Sequence, residues 1–131
     1  MDDLTRLLCD LVSIPSVNPM GRTLSGPDVL ETRLSHYLEA WFAERGIACR
    51  RQPIAPGRDN LLAEFQSSSS GRTLLFDVHQ DTVPTDGMTI DPFLPRVDEG
   101  RLYGRGSCDV KGSMAAMLVA LDWLCRERPT G

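Results

Sequence analysis

No run of apolar residues in this sequence approaches the ~20 needed to span a bilayer, so a transmembrane helix is not expected. The chain opens Met1-Asp2-Asp3, acidic where a secretory signal is basic. The cytosol is therefore the expected compartment, and no membrane partner is expected. The cysteines Cys9, Cys49, Cys108 and Cys125 contain no C-x-x-C pair, which argues against a zinc ribbon or a dithiol redox centre. Reduced thiols fit a cytosolic chain better than a disulfide framework does. The arginines scatter from Arg6 to Arg128 without forming a basic run, and the net charge is -4. A nucleic-acid partner is not expected on the same grounds.

What is present is ordinary for a soluble domain: 131 residues, 41% hydrophobic and 24% charged. Leu4, Leu7, Leu8 and Leu11 follow helical spacing and predict a first helix over residues 3–12. Pro15 and Pro19 forbid its continuation. A polar stretch follows to Pro27, which suits the first turn of a second helix, with Ser25 or Gly26 near its cap. That helix is expected to reach about Arg45, with Leu30, Leu34, Leu38, Trp41 and Phe42 on one stripe and Gly46 as its stop. Strands are expected over 47–54 and 60–65, with a turn at Ser67 to Gly71 between the second strand and a third. The third, over 73–79, is apolar enough to be central and buried. Residues 81–100 read as an ordered loop, 101–103 as a short strand, and Met114, Met117, Leu118, Leu121 and Leu124 as a last helix over 111–126. The fold class is α/β, a layer of strands and helices with the last helix entered through a glycine-rich turn.

Two segments carry chemistry. His79-Gln80-Asp81-Thr82-Val83-Pro84 ends the third expected strand; strand alternation points His79 and Asp81 the same way. A metal-ligating imidazole commonly gives its other N–H to a carboxylate, and Asp81 is placed to accept it. A buried histidine paired with an acid, without metal, satisfies the same spacing. The second segment is Gly104-Arg105-Gly106-Ser107-Cys108-Asp109-Val110-Lys111-Gly112. Here Asp109 precedes a helix, where an aspartate is ordinarily an N-cap. The glycines, however, suit a turn that brings a carboxylate against another element. A phosphate loop is excluded, because the third glycine of G-x-G-x-x-G is missing and Lys111-Gly112-Ser113 reverses the P-loop order. Cys108 beside Asp109 reads as a small buried apolar group rather than a nucleophile, for want of an orienting partner beyond Asp81. His36 reads as solvated or capping, and Arg45, Arg50 and Arg51 as a solvated surface.

Taken together, with 30 residues between His79 and Asp109, the segments resemble a known family. It is the dinuclear-zinc peptidase and amidohydrolase family of acetylornithine deacetylase, succinyl-diaminopimelate desuccinylase, aminoacylase and glutamate carboxypeptidase. The resemblance rests on His79-x-Asp81-x-Val83-Pro84, Asp91-Pro92-Phe93, Leu102-Tyr103-Gly104-Arg105-Gly106-x-x-Asp109-x-Lys111-Gly112 and the opening Leu11 to Pro19. It implies part of a three-layer catalytic domain with a mostly parallel mixed central sheet flanked by helices. It also implies two zinc ions per site, with cobalt or manganese as substitutes. His79 would ligate one zinc, Asp109 would bridge both, and Asp81 would be the catalytic acid behind His79. A peptide after the bridging aspartate that is often cis, here Asp109–Val110, is implied as well. Val78 stands where the family commonly has Gly, and Met88 where an aromatic residue often precedes Asp-Pro-Phe; both bear on substrate preference more than on metal.

The family's general-base glutamate, its remaining ligands and its lid and dimerisation domain fall beyond Gly131. Residues 1–131 are thus expected to be the N-terminal part of the catalytic domain, inactive alone and weak in zinc binding. The complete protein is expected to be a homodimer that hydrolyses an amide bond of an N-acyl amino acid or small peptide by metal-activated water. The other reading is a non-catalytic α/β binding module that keeps the scaffold.

Overall fold

Two aspartates open the first helix: Asp2 accepts the Thr5 backbone N–H at 2.8 Å, closing the N-terminus of α1 (Asp3–Ser13), which buries Leu7, Leu11 and Val12. The computed structural model describes residues 2–66, 71 and 73–128. The elements that follow are α2 (Thr32–Glu44), β1 (Ala48–Ala55), β2 (Arg58–Glu64), β3 (Arg96–Asp98), β4 (Arg101–Tyr103) and α3 (Lys111–Glu127). The expected turn at Ser67 to Ser70 lies outside the described residues.

The core is made by helices. Leu7 and Leu11 of α1 join Leu34, Leu38, Trp41 and Phe42 of α2 and Met114, Ala115 and Leu118 of α3, with Ile47 at the foot of β1. The leucine spacings predicted these faces, and Trp41 and Phe42 meet edge to face at 5.4 Å. Arg45 ends α2 and Gly46 follows it at φ 65°, the left-handed conformation that glycine tolerates without strain.

α2 begins at Thr32, five residues later than the proline signal suggested. The reason lies in Val17, whose N–H donates to Asp28 O at 2.8 Å while its carbonyl accepts from Leu30 N–H at 2.9 Å. This parallel bridge takes up backbone groups of residues 28–30 that a helix would have used, and Leu30 leaves it at φ 69°. The arginine cluster is also less solvated than its composition implied. Arg45 lies over the Trp41 ring at 3.9 Å, and Arg51 is held between Glu39 and Asp59.

β1 and β2 form an antiparallel hairpin around Pro56-Gly57, with a register shift near Pro53, which has no N–H to give the ladder. β3 and β4 form a second antiparallel ribbon. The α/β class therefore holds, but the pairing among the described residues is antiparallel, and parallel contact is confined to the single bridges Val17↔Val29 and Val17↔Thr82. β3 lies inside the segment expected to be loop.

The third expected strand does not form. Residues 73–79 belong to neither ribbon, and Leu74, Leu75 and Phe76 are 76%, 82% and 65% exposed. An apolar run becomes a central strand only when neighbours on both sides take its N–H and C=O groups and cover its faces. No described strand does so. The consequence is a solubility liability. The isolated 131-residue chain is expected to self-associate in sedimentation velocity, and the double substitution L75K/F76S to shift it toward monomer. A wild-type chain that stays monomeric at high concentration overturns this expectation.

Candidate metal site

The His79 segment is held in place by backbone pairing with the chain just after α1. Asn18 N–H donates to Thr82 O at 2.8 Å and Thr82 N–H donates to Ser16 O at 2.9 Å. Gln80 points away from its neighbours: its Nε2 donates to Asp59 O at 3.0 Å and its Oε1 accepts from Ser35 Oγ at 3.0 Å. Ser16 Oγ donates to Gln80 O at 2.8 Å. With residue 80 anchored toward α2 and β2, residues 79 and 81 face the opposite side together, as alternation requires.

The Asp109 turn is fastened by different means. Lys111 is 1% exposed, and its Nζ donates to Leu11 O at 2.8 Å and Ile14 O at 2.7 Å, the last carbonyls of α1. Burial pulls its ammonium down to about 8. Two glycines let the turn close against its surroundings. A Cβ on Gly104 would stand 2.4 Å from Val12 Cγ1, and one on Gly106 would stand 2.8 Å from Thr82 Cγ2. Arg105 N–H donates to Pro92 O at 2.7 Å, and its guanidinium reaches Pro84 O at 2.9 Å, tying the loop over 84–92 to the turn. The peptide Asp109–Val110 is cis, and Val110, not Asp109, is the N-cap of α3. Asp109 is thus released from the capping role its position suggested.

His79 Nε2 and Asp109 Oδ1 come within 3.1 Å of each other. On the other side of the ring, Nδ1 is 2.9 Å from Asp81 O and 3.2 Å from Asp81 Oδ1. Burial alone would lower the imidazole's pKa, but the Asp81 carbonyl and the Asp109 and Asp81 carboxylates outweigh it and raise it. Two acceptors at Nδ1 keep a hydrogen there, so Nε2 is the nitrogen left to bind a metal. Two donors on one tetrahedral zinc stand about 3.3 Å apart for ordinary Zn–N and Zn–O bonds, so the 3.1 Å pair fits one edge of such a site. Among the described residues no three His, Cys, Asp or Glu side chains are gathered for a metal. A catalytic zinc ordinarily takes three protein ligands, so the residues fit part of a site.

His36 is exposed, as expected, but so is Cys108, which is not the buried apolar group its neighbourhood suggested. The sequence reading missed three side chains around Asp81. Asn18 Nδ2 donates to Asp81 Oδ2 at 2.6 Å, and Arg58 Nη2 lies 3.5 Å from the same oxygen. Arg58 is in turn held by buried Glu31 at 2.5 Å. Asn18 lay in the opening motif without a role; Glu31 and Arg58 carried no signal, since nothing in their spacing joins them to residue 81.

Comparisons with known proteins fall on the same segments. The model of "Peptidase family M20/M25/M40" matches residues 75–131, the segment that carries both motifs. Succinyl-diaminopimelate desuccinylase of Parvibaculum lavamentivorans is 33% identical over 125 residues, covering 90% of this chain and 29% of that protein. The enzyme of the same name from Acinetobacter baumannii is 33% identical over 131 residues, covering 97% of this chain and 31% of its own length. Human carnosine dipeptidase 1 superposes with a TM-score of 0.73 at 24% identity, over 98% of this chain and 29% of that one, a likeness of fold. The chain thus spans under a third of the curated relatives it matches. The family model lies on the very residues that meet at His79 and Asp109, so this segment of the chain is similar to peptidase family M20/M25/M40.

Proposed function

We propose that this chain forms the N-terminal part of the catalytic domain of a zinc-dependent hydrolase that cleaves an amide bond of an N-acyl amino acid or small peptide. His79 would ligate one zinc through Nε2, Asp109 would bridge that zinc to a second, and Asp81 would orient the imidazole. The observation that carries this reading is the approach of His79 Nε2 to Asp109 Oδ1 at 3.1 Å, with Asp81 behind Nδ1. Relatives named as desuccinylases support an acyl amino acid as the substrate class.

Zinc held by these residues would supply Lewis-acid chemistry toward the amide carbonyl and a bound water. The chain's own residues set up that chemistry. Asp81 holds the ring with its hydrogen on Nδ1, and Lys111 and the two glycines hold the turn that presents Asp109. The chain as it stands offers one ligand and one bridge, and the general base and further ligands are proposed to lie in the longer polypeptide, together with a lid and homodimer contact. The cytosol is the proposed compartment; no described helix is long and apolar enough to cross a membrane.

The test is metal analysis and hydrolysis with the complete encoded polypeptide. Purified protein is expected to carry zinc and to hydrolyse N-succinyl or N-acetyl amino acids, with activity lost on chelation and restored by zinc. Activity that survives exhaustive chelation sinks the metal reading. The 131-residue chain alone is expected to show no turnover.

A further inference from the structure

We propose that Asn18 is a positioning residue for this site, acting through Asp81 on His79; the inference rests on the zinc-hydrolase reading above. The Asp81 carboxylate has two oxygens with different duties. Oδ1 faces His79 Nδ1 at 3.2 Å, and Oδ2 accepts from Asn18 Nδ2 at 2.6 Å. A carboxylate held at one oxygen cannot rotate its other oxygen away from the ring without breaking that bond.

The Asn18 amide has one defined orientation. Its Oδ1 accepts the Met20 backbone N–H at 3.0 Å, which leaves Nδ2 as the end facing Asp81. The backbone of Asn18 is fixed as well, since its N–H donates to Thr82 O at 2.8 Å, one residue beyond Asp81. The donor is therefore locked to the same strand-like segment it serves, and thermal rotation of either partner is restrained at both ends. Arg58, at 3.5 Å from Oδ2, adds charge without a second close bond, because Glu31 holds its guanidinium. Asn18 is thus the group that sets the carboxylate's orientation.

Two variants separate this role from turn formation. N18A removes both bonds of the amide, whereas N18D keeps an oxygen for the Met20 N–H and replaces the donor facing Asp81 by an acceptor. The complete encoded polypeptide is titrated with Zn²⁺ against a chromophoric chelator. Both variants are expected to bind zinc about tenfold more weakly, the loss that follows removal of a hydrogen bond to a charged group. In the background of D81A, N18A is expected to cause no further loss, because the pair acts as one unit. N18D with wild-type affinity, or an additive double variant, overturns the proposal.

A second readout needs no metal. In ¹⁵N spectra of the metal-free protein, at a pH where the ring is neutral, His79 is expected to carry its hydrogen on Nδ1 in the wild type and to populate both tautomers in N18A. Absence of zinc binding by the wild type removes the zinc reading, while the tautomer populations still decide the role of Asn18. Unchanged populations in N18A overturn it.

Discussion

Replacing Asp109 by alanine is expected to lower kcat/KM of the complete polypeptide by about a thousandfold or more, since a bound zinc contributes several kcal/mol to the transition state. The fold is expected to survive the change. The Asp109 side chain is 83% exposed, it caps no helix, and its carboxylate meets His79 at the mouth of the turn. Exposed substitutions of this kind ordinarily cost within about 0.5 kcal/mol. The thermal midpoint of the metal-free protein should therefore stay near wild type, while zinc content and turnover of the metal-loaded protein fall together. D109N, which keeps the shape and removes the charge, is expected to fall on the same side. Full activity in D109A, measured with N-succinyl and N-acetyl amino acids, removes Asp109 from the metal centre.

Lys111→Ala is expected to have the opposite profile, a large loss of stability whatever happens to metal binding. Ile14 O and Leu11 O accept from the buried Lys111 ammonium at 2.7 and 2.8 Å, and Leu11 O has besides only the Ile14 N–H at 3.3 Å. Ile14 O stranded without a donor costs about 1–3 kcal/mol, Leu11 O is left with its longer bond alone, and truncation of the stem adds a cavity. Relief from burying a charge offsets part of this, leaving a net loss of about 4 kcal/mol. Against a total stability of about 5–15 kcal/mol, a loss of that size brings the chain close to unfolding. K111M fills the volume but still removes the donor from both carbonyls, and is expected to lose roughly half as much. Denaturant midpoints measure the difference. If K111A matches wild type, the two carbonyls are satisfied by other means and Lys111 does not fasten the turn to α1.

The helices were legible because a single apolar face determines each one. Leu7 and Leu11, Leu34 and Leu38, and Met114 and Leu118 recur at helical spacing, and all are buried where α1, α2 and α3 meet. The same rule failed at Leu74, Leu75 and Phe76, since a central strand requires partners, and composition does not reveal whether they exist. It failed at Pro27 for a different reason. Val17 lies ten or more residues away in sequence, yet it bonds to residues 28 and 30 and delays α2 to Thr32. Local propensity is overridden when a distant backbone offers the better hydrogen bonds.

The candidate site divides along the same line. By itself the sequence determined which residues are candidates for the chemistry: the shared side of His79 and Asp81 follows from their spacing of two in an extended segment, and the freedom of the Asp109 turn follows from its glycines. Only the tertiary structure decided that His79 and Asp109, 30 residues apart, approach within 3.1 Å. It likewise decided that Asp109 leaves the helix cap to Val110, and that Lys111 is spent on the end of α1 rather than on solvent. Asn18, Arg58 and Glu31 gather around Asp81 by folding alone. The physical reason is that spacing determines direction only within one element. Contacts between elements are set by which buried backbone groups must find partners, and those obligations are settled when the layers pack.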